Sequence, residues 1–155
     1  MAISTGTAIE FFGTQDNISG TSTAAVANAA FSTIDATTGL IAWTNDDDAI
    51  SASVTLSCTF TVAPTANSSL NLHARLLNVQ GTNDNTVPDA NFQHIYLNSF
   101  PLNDSTAAQY ITIDVGLPNA YTSQQYEFYI QNNSGQSLPA GWAVYITPKA
   151  IGPHA

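Results

Sequence analysis

The sequence predicts an all-β chain, an antiparallel, jelly-roll-like β-sandwich of about eight strands. Three observations predict it. Apolar and polar residues alternate at period two in one segment after another, the pattern of strands with one buried face. Clusters of Gly, Pro, Asn, Asp and Ser separate those segments. Almost nothing carries the 3.6-residue period of a helix, so no helical layer can cover a sheet and two sheets must cover each other.

Taken in chain order, the first strand is expected at Thr7–Phe12. Ser22–Phe31 is rich in alanine and could form a short helix, although Ala/Thr/Ser segments in β proteins are often extended. A second strand is expected at Gly39–Trp43. The clearest pattern is Ser53–Val62, where Val54, Leu56, Cys58, Phe60 and Val62 face one way and Thr55, Ser57, Thr59 and Thr61 the other. Pro64 closes that strand because it has no N–H for the ladder. Leu70, Leu72, Ala74 and Leu76 then alternate with Asn71, His73 and Arg75, which places His73 on the polar face. Further strands are expected at Phe92–Phe100, Gln109–Leu117, Gln125–Gln131 and Trp142–Thr147. Tyr126, Phe128 and Ile130 supply one inward face, and Trp142, Val144 and Ile146 another. The turn clusters fall at Ala63–Ser69, Gln80–Asn91 and Asn132–Gly141. No linker, composition shift or repeat divides the chain, so residues 1–155 are read as one sandwich domain with a polar N-terminal arm at about 1–7.

Composition narrows the classes of function. Charged residues make up 8% of the 155, against about 25% in ordinary domains, and Thr 19, Ser 14, Asn 14 and Gln 8 take their place. Arg75 and Lys149 are the only basic residues and the net charge is -9, which argues against a nucleic acid or an anionic membrane as partner. Met1–Gly6 has neither a basic start nor an apolar run, so no export signal is expected. Cys58 is the one cysteine and is expected buried and free, in register between Leu56 and Phe60. The N-x-S/T triplets at Asn17, Asn67, Asn103 and Asn132 are about as many as chance gives in so Ser/Thr-rich a chain, and carry no argument for glycosylation.

Residues with chemical potential are few. The histidines are His73, His94 and His154, and no G-x-S-x-G elbow accompanies them. Glu10 and Glu127 could form a carboxylate pair across a cleft, yet each reads as the solvent-facing alternate of a strand. Asp46-Asp47-Asp48, and Asn83-Asp84-Asn85 with Asp89, are oxygen-rich loops of the kind calcium uses. Neither has EF-hand spacing, and both read as solvated turns. No Cys/His constellation suggests zinc. Tyr129 and Tyr145 alternate away from the inward set and could stack on a sugar, pair across strands, or sit in an interface. The expectation is therefore no enzyme, no catalytic, cofactor-binding or metal-binding residue, and no cofactor.

One resemblance adds a function. Met1-Ala2-Ile3-Ser4-Thr5-Gly6-Thr7 with Glu10-Phe11-Phe12-Gly13-Thr14-Gln15-Asp16 resembles the start of small virion structural proteins of tailed bacteriophages. Trp43-Thr44-Asn45-Asp46-Asp47-Asp48-Ala49, Val87-Pro88-Asp89-Ala90-Asn91-Phe92 with His94-Ile95-Tyr96-Leu97, and the ending Tyr145 to Ala155 extend the likeness over nearly the whole chain. The resemblance implies a head decoration (cement) protein, with a tail or fibre component or a carbohydrate-binding module as alternatives. It further implies synthesis in the host bacterial cytoplasm, residence on the outer capsid surface, the major capsid protein as partner, and a symmetric homo-oligomer, with a trimer the first expectation. It assigns no catalytic or ligand residues. Met1–Thr7 and the loop Gln80–Asn91 lie outside the strong strand patterns and are the expected contact segments.

Overall fold

The computed structural model describes residues 7–91, 95–119 and 123–153. Nine strands run in chain order: β1 (Ala8–Phe12), β2 (Asp16–Asn17), β3 (Trp43–Asn45), β4 (Ser51–Cys58), β5 (Ser69–Leu76), β6 (Ile95–Pro101), β7 (Gln109–Gly116), β8 (Gln124–Asn133) and β9 (Ala143–Pro153). They form two antiparallel sheets, β1-β9-β4-β7, with β2 also on β9, and β3-β8-β5-β6. Between β3 and β9 the chain repeatedly changes sheet, and its first strand pairs with its last. That is the strand order of a jelly roll.

β1 and β2 act as one broken strand along β9. Phe12 pairs with Lys149 and Asp16 with Ile146, so three residues on one side face two on the other. The break falls opposite Pro148, which has no N–H to give. Gly13 bridges it by donating its N–H to the Pro148 carbonyl at 2.9 Å. A Cβ at Gly13 would collide with the Asp47 carboxylate and come within 2.6 Å of the Pro148 ring.

The period-two pattern becomes the core. Ala52, Val54, Leu56 and Cys58 of β4 point between the sheets and meet Leu70, Leu72, Ala74 and Leu76 of β5 and Tyr126, Phe128 and Ile130 of β8, all buried. The Trp43 ring lies 5.8 Å from Tyr126 and 6.3 Å from Phe128, and its Nε1 donates to Asp16 Oδ2 at 2.9 Å. At one open side Asn98 of β6 donates from Nδ2 to the Asp114 carbonyl of β7 at 2.9 Å, which ties one sheet to the other.

Several boundaries differ from the sequence expectation. β4 ends at Cys58, where its pairing with Gln109 ends, and the chain crosses to the other sheet. Phe60 remains buried but Val62 is 57% exposed, because alternation fixes facing only while a strand is paired. Trp43 starts β3 rather than ending a strand at Gly39–Trp43. Ser22–Phe31 forms no helix. It is irregular, with a turn at Asn28 and Ala29, and its end lies beside β8, with Ala29 N–H on the Asn132 carbonyl and Ser32 N–H on the Ile130 carbonyl. Thr23 and Trp142 fasten its start, Thr23 Oγ1 donating to the Trp142 carbonyl at 2.6 Å and Trp142 Nε1 to the Ala24 carbonyl at 2.8 Å. The β6 expectation begins at Phe92, and Phe92–His94 lie outside the described residues. β9 continues to Pro153, beyond the expected end at Thr147.

Candidate functional site

A dense polar cluster lies where the second sheet meets the loop between β5 and β6. Arg75 and Glu127 are cross-strand neighbours on β5 and β8. The Arg75 guanidinium donates from one terminal nitrogen to Glu127 Oε2 at 2.7 Å, from the other to Asp84 Oδ2 at 3.1 Å, and from Nε to the Asn85 carbonyl at 2.5 Å. All three faces of the planar fork are used, which a lysine could not do. Tyr129 donates its hydroxyl to the same Glu127 oxygen at 2.9 Å. Burial and the adjacent carboxylate push the Tyr129 phenol up to about 12, so it remains a donor.

This cluster holds the base of the loop. Asp84 Oδ1 also accepts the Asn78 N–H, Asn85 N–H reaches the Leu76 carbonyl, and Leu77 N–H reaches the Gln125 carbonyl. Pro88 is buried. Val79 and Val87, at 43% and 46% exposed, project from the anchored frame. Both carboxylates of the loop are therefore engaged by the protein, Asp84 by Arg75 and Asn78, and Asp89 Oδ1 by the Asn91 N–H.

A second polar network covers the outer face of β5 and β6. Tyr96 and Ser99 share a hydroxyl–hydroxyl bond of 2.8 Å, Ser99 donates to Asn71 Oδ1 at 2.7 Å, and Asn71 donates to Gln131 at 3.4 Å. His73 sits on this face as its strand position requires, but it is 1% exposed. Phe31 and Tyr96 close over it, edge to face, with ring centroids at 5.3 and 5.7 Å. Neither ring nitrogen has a partner in hydrogen-bond geometry. The expectation of an open polar position fails because the segment before β3 lays Phe31 across this face.

The outer face of the first sheet is a field of hydroxyls. Thr55 and Thr112 pair at 2.8 Å, and Ser53 donates to Asp114 at 2.6 Å. Lys149 lies alongside, its Nζ 2.7 Å from Asp114 and 5.3 Å from the centroid of Phe12. The lysine and serine bonds hold the Asp114 carboxyl below its usual range. Both cations of the chain are thus committed to internal ion pairs.

The remaining candidates separate in space. Glu10 is exposed on β1, at the edge of the first sheet, whereas Glu127 is on the outer face of the second sheet, so they flank no common cleft. Glu127 is also not the solvent-facing residue expected: Arg75 and Tyr129 enclose it. Asp46, Asp47 and Asp48 are exposed at a turn closed by Asn45, which donates to the Ala49 carbonyl and accepts its N–H. Among the described residues no three His, Cys, Asp or Glu side chains are placed to share a metal ion. His94 and His154 lie outside the described residues. Cys58 is buried and free, and desolvation pushes its thiol up to about 11. Tyr129 points outward by register yet is buried, while Tyr96 and Tyr110 are 53% and 75% exposed. The Arg75 cluster was not among the expected features. Its signal was the scarcity of cations, since a lone arginine on a strand beside an acid-bearing loop must find its partners there. Comparison of the chain with protein-family models, curated proteins and solved structures finds no match.

Proposed function

We propose that this chain is a structural component of a tailed-phage virion, a decoration protein that binds the outer surface of the head and clamps neighbouring capsomers. The observation that carries the reading is the β5–β6 loop. Its residues 78–85 are tied to the sheet by the Arg75 fork, and Val79 and Val87 stand exposed within and just beyond that stretch. A loop ordered before contact loses little conformational freedom on binding, so its apolar tips add affinity without a large ordering cost. Neutral hydroxyl surfaces, such as that around Thr55 and Thr112, give hydrogen bonds that salt does not screen. The partner is the major capsid protein, the working form is a homo-oligomer, and stabilisation follows by mass action with no chemical step. The second expected contact segment, Met1–Thr7, lies outside the described residues except for the exposed Thr7.

The test is a reconstruction of purified virions, supported by immunogold labelling. Density for the jelly roll over capsomer junctions, with the β5–β6 loop against the shell, is the expected result. Density on the tail alone, with bare capsomers, refutes the head reading. A Val79→Ser, Val87→Ser double variant should retain its fold and lose at least about tenfold in capsid affinity, as expected for removing two partly buried apolar contacts.

A further inference from the structure

Beyond the last contact with β4, β9 continues as a two-stranded ribbon with β1 alone. β4 pairs with β9 only as far as Ser51 and Lys149, while Ala8–Phe12 continue opposite residues 149 to 153. A lone pair of strands is only marginally stable in water. This one also carries apolar side chains on both faces. Ile9 and Phe11 lie on the side that faces the core further along β9, but here, among the described residues, no second sheet covers them. Phe12 and Ile151 lie on the other side. Phe11, Phe12, Ile151 and the neighbouring Ile50 are 46%, 61%, 62% and 50% exposed. Among the described residues nothing pairs with the outer edge of β1.

We infer that this ribbon is a self-association surface, on which two copies of the chain join by antiparallel pairing of β1 with its counterpart about a two-fold axis. Strand addition explains both features together. It satisfies the open backbone edge, and it sets the apolar side chains of the two β1 strands side by side on both faces of the joined sheet. The area is that of a weak pair. At about 180 Å² for each large side chain, Phe11 and Phe12 on β1 itself leave roughly 190 Å² of apolar surface per copy. A standard interface takes about 800 Å² from each partner, somewhat more than half of it non-polar, so the pair should come apart on dilution. Charge points to the same occupant. A chain of net charge -9 can meet its own copy only where carboxylates are sparse, and Glu10 is the one carboxylate on β1. Its repulsion is avoided when Phe11 faces Phe11 across the axis, a register that sets each Glu10 opposite a Phe12 of the other copy.

The pairing does not depend on the virion reading and survives its failure. It also replaces the three-fold ring expected from the sequence with a two-fold pair. Sedimentation velocity of the full chain tests it. The expected result is a species of twice the 16.3 kDa chain mass at about 100 µM, dissociating on dilution. Phe11→Lys combined with Ile151→Lys should remain monomeric at the same concentration, with its far-ultraviolet circular dichroism unchanged. Hydrogen exchange keeps the test open if that variant misfolds: wild-type amides of Ala8–Phe12 should be protected at high concentration and exchange faster on dilution. A wild-type monomer at about 100 µM, a trimer, or a dimer indifferent to the substitutions and to dilution of the β1 amides would each overturn the inference.

Discussion

Replacing Arg75 by alanine tests the anchoring of the β5–β6 loop directly. The change removes three hydrogen-bonded contacts at once and leaves Glu127 with only the Tyr129 hydroxyl. Breaking a fully buried ion pair by removing one partner costs about 3–5 kcal/mol, because the remaining charge is stranded. Here the Arg75 and Glu127 side chains are 18% and 14% exposed, so some water can reach the carboxylate. Tyr129 also still supports it. The expected loss is therefore at the lower end or below, about 2–3 kcal/mol. The Asp84 contact is more open, at 34% for the carboxylate, and adds at most about 1 kcal/mol. At 2–4 °C per kcal/mol for a chain of this size, Tm should fall by about 5–10 °C. Urea denaturation followed by fluorescence is a suitable assay, since Trp43 and Trp142 are both buried reporters. Two further variants isolate the cause. Arg75→Lys should recover less than half the loss, because one ammonium cannot satisfy three divergent acceptors. Arg75→Ala with Glu127→Gln should be more stable than Arg75→Ala alone, since it removes the stranded charge. An Arg75→Ala variant within about 0.5 kcal/mol of wild type, or no relief from Glu127→Gln, would refute the reasoning.

Other outcomes follow from single sites. Cys58 should react with a bulky thiol reagent only on the timescale of unfolding, as it is 3% exposed with its thiol pushed up to about 11; rapid labelling of native protein would contradict this. Cys58→Ser should cost about 1–3 kcal/mol in the same urea titration, the penalty for an inward hydroxyl with no acceptor. Gly39→Ala should destabilise the segment before β3, because a Cβ there would run into the Thr33 carbonyl and lie 2.7 Å from Thr33 Oγ1; an unchanged Tm would contradict the close approach. Exhaustive chelation should leave Tm within about 1 °C, since Asp84 is engaged by Arg75; a drop of many degrees would promote the Asp46–Asp48 turn to a cation site.

How far the fold was legible in the sequence depends on pairing. Where a strand is paired on both sides, as in β4, side-chain period and burial agree residue by residue. The pattern misleads where pairing stops, as at Val62, and is silent where burial comes from a crossing segment. Apart from the short run at Gly39–Trp43, the connection between β2 and β3 has no usable period, yet it supplies buried Ile18, Thr23, Val26 and Leu40. Its backbone is fixed by distant partners on β8, on β9, at Leu138 and at the far end of the connection itself, so no local propensity announces it. Asp35 shows the local part that can be read, an Asx turn whose carboxylate takes the Thr37 and Thr38 N–H groups at 2.8 and 2.7 Å. The β1–β9 ribbon was half legible. Phe11 and Phe12 stand out as adjacent aromatics, but only the topology shows that β9 outruns β4 and leaves them uncovered.

His73 is where sequence logic and structure part most sharply, and the difference has a measurable consequence. Alternation places it on the polar face, correctly, but cannot foresee that Phe31 and Tyr96 will close over that face. The groups around the ring are Phe31, Tyr96, the cross-strand Tyr129 and the Gln131 amide, with Arg75 and Glu127 two positions along β5 and β8. Burial holds the His73 pKa below the ordinary imidazole value of about 6.5, and the nearby Gln131 amide only partly opposes it. In the window between 6.5 and that lowered value the unfolded chain binds a proton that the folded chain refuses. Stability therefore rises with pH through the window and is lost as pH falls through it. The slope for this one group is at most about 1.4 kcal/mol per pH unit. Urea titrations at pH 7.5 and near pH 5.5, the latter above the main carboxylate range (about 4), isolate it. His73→Leu should reduce the pH dependence relative to wild type, and that difference cancels the contributions of the other histidines. Equal slopes in the two proteins would mean that the ring is protonated as readily in the fold as outside it. The aromatic cover of Phe31 and Tyr96 would then be open to water in solution.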